Sequence, residues 1–140
     1  KTPIISGAAG ICYVAALRWR AQLQENSKVA AFDLCFPEAN HNAIVPLAEM
    51  RKGEFPFVMV MTRDAGDSSR MTKRLDITKS LVATHLEGVI DVWSEGSSPL
   101  ARLLSLIYLG DYVSLYLALL RGVDPTPVAP IDKLKRELSR

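Results

Sequence analysis

The apolar positions of the chain fall into short continuous runs that alternate with longer stretches of helical spacing. The continuous runs predict strands at Ile4 to Ser6, Ala30 to Phe36, Phe57 to Met61 and Val89 to Trp93. Apolar residues at every third or fourth position predict helices from the turn at 7–10 to about Gln24, from about Asn40 to Met50, over Ser69 to Leu86 and from Pro99 to about Leu120. Ile131, Leu134 and Leu138 predict a short final helix.

Turn and capping residues punctuate these elements. Ser97 or Ser98 can cap the helix that starts at Pro99, and Gly122 can end it. The Gly7-Ala8-Ala9-Gly10 segment resembles a phosphate-binding loop, but it lacks the full glycine fingerprint and a following Lys-Ser/Thr pair. A plain turn between the first strand and its helix is the favoured interpretation.

Four successive strand-helix units predict an α/β domain. Right-handed crossovers then give a parallel sheet of about four to five strands with helices on both faces, of the flavodoxin-like kind, followed by a C-terminal helix. At 140 residues the chain fits a single domain spanning residues 1–140. In such a fold, ligands are expected at the carboxyl ends of the strands.

Composition narrows the possible partners and surroundings. The net charge is only +2 and no basic stripe with interleaved aromatic residues occurs, which argues against nucleic acid as a partner. Cys12 and Cys35 have apolar neighbours and are predicted to be buried free thiols, which suits a reducing cytoplasm. The two cysteines and two histidines lack the spacing of a metal site, so no metal is predicted.

Two apolar stretches could be mistaken for an export signal or a membrane span. Residues 2–17 are interrupted by Pro3, Gly7 and Gly10, so a strand, a turn and a helix explain them better. The stretch 99–120 contains Arg102 and Asp111, which favours a buried or interface helix over a membrane span.

Glu25 and His41 lie in polar segments that neither helical nor strand periodicity requires. Glu25 follows the end of the first predicted helix, whose carbonyls present partial negative charge to it. His41 follows Asn40, and if Asn40 caps the next helix, His41 sits at its positive end, which favours a neutral ring. Without a functional role, Glu25 would be a solvated charge at a helix end, and His41 would be an ordinary histidine near a helix cap.

Four separated segments, in order along the chain, carry a recognisable pattern. They are 14–20 with Glu25-Asn26-Ser27-Lys28, Pro37-Glu38-Ala39-Asn40-His41-Asn42, Leu100-Ala101-Arg102 through Gly110-Asp111-Tyr112, and Asp124-Pro125-Thr126-Pro127-Val128. Together they resemble the C-terminal half of bifunctional phosphoglucose/phosphomannose isomerases, of the sugar isomerase (SIS) fold group. The family often carries an acid directly after the His-Asn pair, where this sequence has Ala43.

The resemblance implies isomerisation of glucose 6-phosphate or mannose 6-phosphate to fructose 6-phosphate through an enediol, without a cofactor. Such a reaction needs a base for the carbon-bound proton, an acid/base for ring opening and a cation near the oxygens. The family match assigns the base to Glu25 and ring opening to His41, the latter acting in the neighbouring subunit's site of a homodimer. Thr126 resembles the small hydroxyl residue that admits both epimers; the alternative is a threonine that orders its loop.

The family places the cation, a lysine, on the last helix. At 100° per residue, Lys135 lies roughly 65° from the centre of the Ile131, Leu134 and Leu138 face and Lys133 about 135° from it, so Lys135 is the candidate that can look inward. A lysine whose stem merely covers a core face is the alternative.

The resemblance also implies a missing partner domain. In the family, an N-terminal SIS domain carries the phosphate-binding Ser/Thr loops, so the chain is expected to be part of a two-SIS-domain enzyme and inactive as an isolated fragment. A non-catalytic SIS module that binds sugar phosphates for regulation is the alternative, although such a binder has no need of the Glu25, His41 and Lys135 trio.

Overall fold

The structure, a computed structural model, describes residues 1–139. In this part of the chain the strands are β1 (Thr2–Ala8), β2 (Phe32–Phe36), β3 (Phe57–Arg63) and β4 (Gly88–Trp93). The helices are α1 (Ile11–Glu25), α2 (Ile44–Glu49), α3 (Ser69–Val82), α4 (Pro99–Leu120) and α5 (Ala129–Leu138), with a 3₁₀ helix at Glu38–His41.

The strands form one parallel sheet in the order β2-β1-β3-β4. Ile4 of β1 lies opposite Phe32 on one side and Met59 on the other, and Met59 lies opposite Val89 of β4. The predicted α/β class, with its parallel sheet, flanking helices and C-terminal helix, is therefore confirmed. Strands β1, β3 and β4 are longer than the apolar runs predicted, because the parallel ladder also includes residues such as Gly7 and Thr62. Strand β2 is shorter, since it begins at Phe32 and not at Ala30.

Both faces of the sheet are covered, which explains the continuous apolar runs. Successive residues point to opposite faces, so Ile4 and Ile5 enter different cores. On the face that carries α2 and α3, the core contains Met59, Leu75 and Val82. On the other face, α1 and α4 supply Ala16, Trp19, Leu23 and Leu106.

Helices α1 and α4 pack closely at Gly110. Trp19 donates its indole N–H to the carbonyl of Leu106 (2.6 Å). A side chain at Gly110 would collide with that indole, so the missing Cβ lets the two helices approach. At the rim of the contact, Arg18 pairs with Asp111 (3.2 Å), which anchors the middle of α4.

The predicted helix from Asn40 to Met50 is split in two. The 3₁₀ helix ends at His41, and α2 begins only at Ile44. Asn40 does not cap α2, because it lies within the 3₁₀ helix and the N-cap position is Ala43. Its side-chain N–H donates to the hydroxyl of Thr78 (2.8 Å), and its side-chain oxygen accepts from Arg74 (3.4 Å). His41 therefore ends one helix and does not start the next, so the predicted positive-end environment is wrong.

The ends of α4 and the presence of helix α5 agree with the sequence, but the expected burial of one face of α5 does not. Ser98 accepts from the Ala101 N–H (3.2 Å), and Gly122 (φ 65°) follows the last turn of α4. In residues 1–139, α5 has no buried residue, and its apolar Leu138 is 78% exposed. The predicted inward face of α5 is therefore not covered by this part of the chain.

The two cysteines differ in their surroundings. Cys12 is buried at the start of α1, as predicted, whereas Cys35 is only half-buried, so that part of the prediction is wrong. Burial, together with the charges of Asp67 and Asp64, raises the pKa of the Cys12 thiol to about 12. Burial also raises the pKa of the Cys35 thiol. Both thiols are free.

Candidate functional site

Glu25 is the last residue of α1 and lies at the amino edge of the sheet, where the strands begin. A helix that follows a parallel strand runs back against it and ends near the start of the next strand. Accordingly, Gln24 donates its amide N–H to the carbonyl of Ala31 (2.8 Å), directly before β2. The Glu25 side chain is exposed there.

The residues after Glu25 are fixed to α4. The Asn26 amide donates to the hydroxyl of Ser114 (2.9 Å), and the fully buried Ser27 hydroxyl donates to the Ser114 carbonyl (2.6 Å). Arg121, just past α4, donates to the Ser27 carbonyl (2.8 Å). Glu25 is therefore exposed but stands on a firmly held helix end.

Lys28 connects this helix end to the loop that contains Thr126. Its ammonium donates to the carbonyls of Glu25 (2.6 Å), Pro127 (2.7 Å) and Pro125 (3.3 Å). Thr126 lies between the two prolines, and its N–H donates to a carboxylate oxygen of Asp124 (2.9 Å). The structure thus brings Glu25 and Thr126 to the same edge of the domain.

Two concave surfaces lie at this edge. A cleft of about 340 Å³ separates the end of α1, the middle of α4 and the loop at 124–127. It is lined by Gln22, Asn26, Asp111, Tyr112, Leu115, Pro125 and Thr126. A larger, mainly apolar cavity of about 580 Å³ lies under α4 beside the strand starts, and Lys28 and Arg121 are among the residues that line it. Thr126 therefore faces a space that could hold a small polar molecule.

His41 lies at the opposite edge of the sheet. It ends the 3₁₀ helix that follows the carboxyl end of β2, and its side chain is exposed. The seven residues of β1 span roughly 20 Å at about 3.3 Å per residue. Within one chain, His41 and Glu25 are consequently on different edges, and only His41 occupies the carboxyl edge where the fold class predicted ligands.

Lys135 lies on α5, nine residues after Thr126, and is exposed. Lys133 is exposed as well. The structure does not distinguish Lys135 from Lys133 as the candidate cation. Their angles differ relative to the apolar face of α5, but no other part of residues 1–139 covers that face. The backbone carbonyl of Lys135 accepts from the Ser139 hydroxyl (2.8 Å), which extends the end of the helix.

The carboxyl edge holds a charged network that the sequence did not reveal. Asp64 is buried, accepts from Ser94 and pairs with Arg102 (2.8 Å). Arg63, also buried, pairs with Asp76 (2.5 Å) and lies over the ring of Trp93 at 5.1 Å. No local pattern indicates this network, because the partners of Arg63 and Asp64 come from distant parts of the chain.

The same network affects its neighbour Asp67. Burial is the main cause that raises the pKa of this carboxyl, and the charge of Asp64 adds to it. In residues 1–139 no three His, Cys, Asp or Glu side chains come close enough together to bind a metal ion. This edge is organised by ion pairs within the protein.

Comparison with known sequences gives consistent matches over nearly the whole chain. The family model described as bacterial phospho-glucose isomerase C-terminal SIS domain matches residues 1–138. A bifunctional phosphoglucose/phosphomannose isomerase of Caldicellulosiruptor bescii is 50% identical over 139 residues, which cover 99% of this chain and 41% of that protein. A protein of the same name from Thermoplasma volcanium is 41% identical over 138 residues, covering 98% and 43%. The chain thus spans about two fifths of these relatives.

Solved structures give the same picture of the fold. A glucose-6-phosphate isomerase like protein from Thermus thermophilus superposes with a TM-score of 0.74 at 19% identity, covering 97% of this chain and 43% of that one. The C-terminal domain of a glucosamine-fructose-6-phosphate aminotransferase from Francisella tularensis superposes with a TM-score of 0.66 at 18% identity, covering 88% and 36%. At these identities, the likeness concerns the fold alone.

Proposed function

Because the chain belongs to the bacterial phosphoglucose isomerase C-terminal SIS domain family, we propose that it supplies part of the active site of a phosphoglucose/phosphomannose isomerase. The reaction interconverts glucose 6-phosphate or mannose 6-phosphate with fructose 6-phosphate through an enediol. The observation that carries the proposal is that Glu25 and the loop containing Thr126 lie at the same edge of the domain. Lys28 links them by hydrogen bonds to the carbonyls of Glu25, Pro125 and Pro127. An N-terminal SIS domain of the same enzyme supplies the phosphate-binding loops.

Glu25 is the base that moves a proton between C1 and C2. A positioned proton-transfer group contributes roughly 10²–10⁴ in rate, provided that it is held within reach of the substrate. The hydrogen bonds of Asn26 and Ser27 to Ser114 hold the backbone beside Glu25 and leave its carboxylate exposed. Thr126, which lines the neighbouring cleft, faces the sugar carbon at which glucose and mannose differ.

His41 opens the sugar ring in the site of a second copy. Within one chain, His41 lies on the opposite edge of the sheet from Glu25. In a two-fold dimer, His41 of one subunit can lie beside Glu25 of the other. The apolar surface of α4 supports such a dimer, because large apolar side chains are exposed along most of its length. Exposed residues of this surface are Leu104, Tyr108, Tyr112, Tyr116 and Leu119.

A membrane would be another way to cover α4, which is long and apolar enough to cross one by length and composition. However, Asp111 lies near the middle of the helix and pairs with Arg18 at its rim. A charged pair at that depth is costly in lipid. A second copy is therefore the better occupant.

Lys135 steadies the oxygen charge that develops in the reaction. Helix α5 follows the Thr126 loop directly, and its exposed apolar residues Ile131, Leu134 and Leu138 offer a face for packing. When the rest of the enzyme covers that face, the flanking Lys135 is directed toward the covered side, because it lies closer to the face than Lys133 does.

The test is Glu25→Gln in the full-length enzyme. Loss of the base acts on the chemical step, so we expect turnover to fall by about 10³-fold while the affinity for fructose 6-phosphate changes only a few fold. Glu49→Gln is the matched control, because Glu49 is also the exposed last residue of a helix. Near-normal turnover of Glu25→Gln would contradict the assignment. An unmodified full-length protein that binds sugar phosphates without turnover would favour a regulatory binding module.

A further inference from the structure

We propose that Lys28 is a positioning residue that locks the helix end carrying Glu25 to the loop carrying Thr126. The effect on catalysis rests on the proposed function. The lock, meaning the hydrogen bonds of Lys28 to Glu25, Pro125 and Pro127, can be tested without an activity assay. Lys28 is assigned no direct contact with the substrate.

The three acceptors of Lys28 come from two distant segments. Glu25 lies three residues before Lys28, whereas Pro125 and Pro127 lie 97 and 99 residues after it. A further side-chain contact of this loop, from the Thr126 N–H to Asp124, is local. Among the described residues, Lys28 therefore supplies the side-chain hydrogen bonds that tie the loop at 124–127 to the rest of the domain.

The ammonium nitrogen of Lys28 has three backbone carbonyl oxygens within hydrogen-bond distance, two at 2.6 and 2.7 Å and the third at 3.3 Å. A lysine has three N–H donors and no acceptor, and here they are directed to three backbone carbonyls. A substrate phosphate could bind Lys28 only by displacing one of these carbonyls. This distinguishes a lysine that positions other groups from one that binds an anion.

The backbone of Lys28 also departs from ordinary geometry. Its φ is 53°, and in residues 1–139 it is the one residue other than glycine with a positive φ. This region is unfavourable for a residue with a Cβ and persists where the surroundings hold it. Arg121 contributes to that hold, since it donates to the carbonyls of Ser27 (2.8 Å) and Lys28 (3.4 Å).

The consequence concerns the alignment of two functional groups. The last carbonyls of a helix have no hydrogen-bond partner within it. The Glu25 carbonyl is one of these, and the Lys28 ammonium donates to it. The same ammonium sets the distance between this helix end and Thr126. If it is removed, the base and the hydroxyl that faces the sugar lose their common anchor, and a small misplacement of such groups is costly in rate.

The first experiment measures the lock by hydrogen–deuterium exchange of the full-length enzyme. We expect Lys28→Met, which keeps an apolar stem but loses the ammonium, to speed exchange in residues 122–128 by about tenfold. Lys73→Met, at an exposed position on α3, is the matched control and should leave this segment unchanged. Unchanged exchange in Lys28→Met would overturn the proposal, whatever the activity of the enzyme.

The second experiment measures steady-state kinetics with glucose 6-phosphate and mannose 6-phosphate. We expect Lys28→Met to lower kcat by roughly 10–100-fold with KM within about threefold, and to change the ratio of kcat/KM for the two epimers by about threefold or more. Lys28→Arg keeps the charge, but its flat fork cannot direct three protons from one nitrogen, so recovery should be partial. If Lys28→Met fails to fold, Lys28→Arg gives both measurements at smaller amplitude.

The outcomes separate the possible roles. A large rise in KM with unchanged kcat would make Lys28 a substrate ligand and overturn the positioning role. Faster exchange with unaltered kinetics, in an enzyme that Glu25→Gln inactivates, would also overturn it. If Glu25→Gln remains active, the proposed isomerase role of this edge fails, while the exchange experiment still decides whether the lock exists.

Discussion

Arg63 and Asp64, at the carboxyl edge of the sheet, are 2% and 5% exposed and lie in ion pairs, whereas Glu25, at the amino edge, ends a helix in an exposed position. At the carboxyl edge, charged side chains neutralise one another across α3, α4 and β4. At the amino edge, the hydrogen bonds of Lys28 and Arg121 go to backbone carbonyls. The cations at the amino edge thus fix the backbone and leave the Glu25 carboxylate available.

This difference explains why the usual expectation for parallel sheets does not locate the proposed site. Ligands commonly bind at the carboxyl ends of the strands. In this domain, the charged side chains Arg63 and Asp64 at those ends pair with other side chains of the protein. Of Glu25, Thr126 and His41, only His41 lies at that edge. The buried ion-pair network of the carboxyl edge is therefore interpreted as structural. The exposed residues Glu25 and Thr126 of the amino edge, together with His41, are the ones proposed to take part in the chemistry.

The largest effect is expected when the defects at Glu25 and His41 are placed on different subunits of one dimer. Full-length Glu25→Gln and His41→Ala enzymes, each nearly inactive, should regain activity when they are mixed and allowed to exchange subunits. At equal mixing about half of the dimers are hybrids, each with one intact site, so activity should reach roughly a quarter of the unmodified level. Assay after demonstrated subunit exchange checks this. If the two residues served the same site within one chain, no activity would return.

The next largest effect should be a loss of stability at the carboxyl edge. Asp64→Ala removes the carboxylate that pairs with Arg102 and leaves this cation without its partner, so the free energy of unfolding should fall by about 3 kcal/mol. Chemical denaturation measures the change. Asp132→Ala, at an exposed position on α5, is the control and should cost about 0.5 kcal/mol. A hundredfold loss of kcat in folded Asp64→Ala enzyme would give the buried ion-pair network a part in the chemistry and break the comparison.

A smaller effect is expected where α4 connects the two edges. Gly110→Ala puts a methyl group against the indole of Trp19, so overpacking should destabilise the domain by about 2 kcal/mol. Gly88→Ala is the matched control, because a Cβ there meets no atom within 4 Å. Thermal unfolding compares the two variants. Equal stability would show that the α1–α4 contact relaxes easily, contrary to the close packing at Gly110.

The smallest effect should appear at Asp67 as a function of pH. Its folded pKa is raised, so its contribution favours the folded state below the unfolded pKa of about 4 and is lost as the pH rises through the folded pKa. Asp67→Asn should therefore raise the midpoint of thermal unfolding at pH 7, and the gain should fade as the pH falls below about 4. A gain that does not depend on pH would rule out the charge as the cause.

Local patterns determined much of the fold. The apolar runs at 57–61 and 89–93 marked two neighbouring strands, and Ser98, Pro99 and Gly122 marked the limits of α4. These signals act within a few residues, through side-chain periodicity, capping hydrogen bonds and the conformational freedom of glycine. The polar segment around Glu25 was likewise recognisable, because its residues interrupt a regular helical pattern.

Only the tertiary structure decided how the candidate residues are arranged. The sequence allows Asn40 to cap α2, but in the structure Asn40 lies within the 3₁₀ helix, and its side chain bonds to Thr78 and Arg74 of α3. Two of the three acceptors of Lys28 lie nearly 100 residues further along the chain, and the apolar face of α5 is exposed because neither the sheet nor α4 covers it. Such contacts are set by the strand order β2-β1-β3-β4 and the path of the helices between the edges, which no local pattern contains.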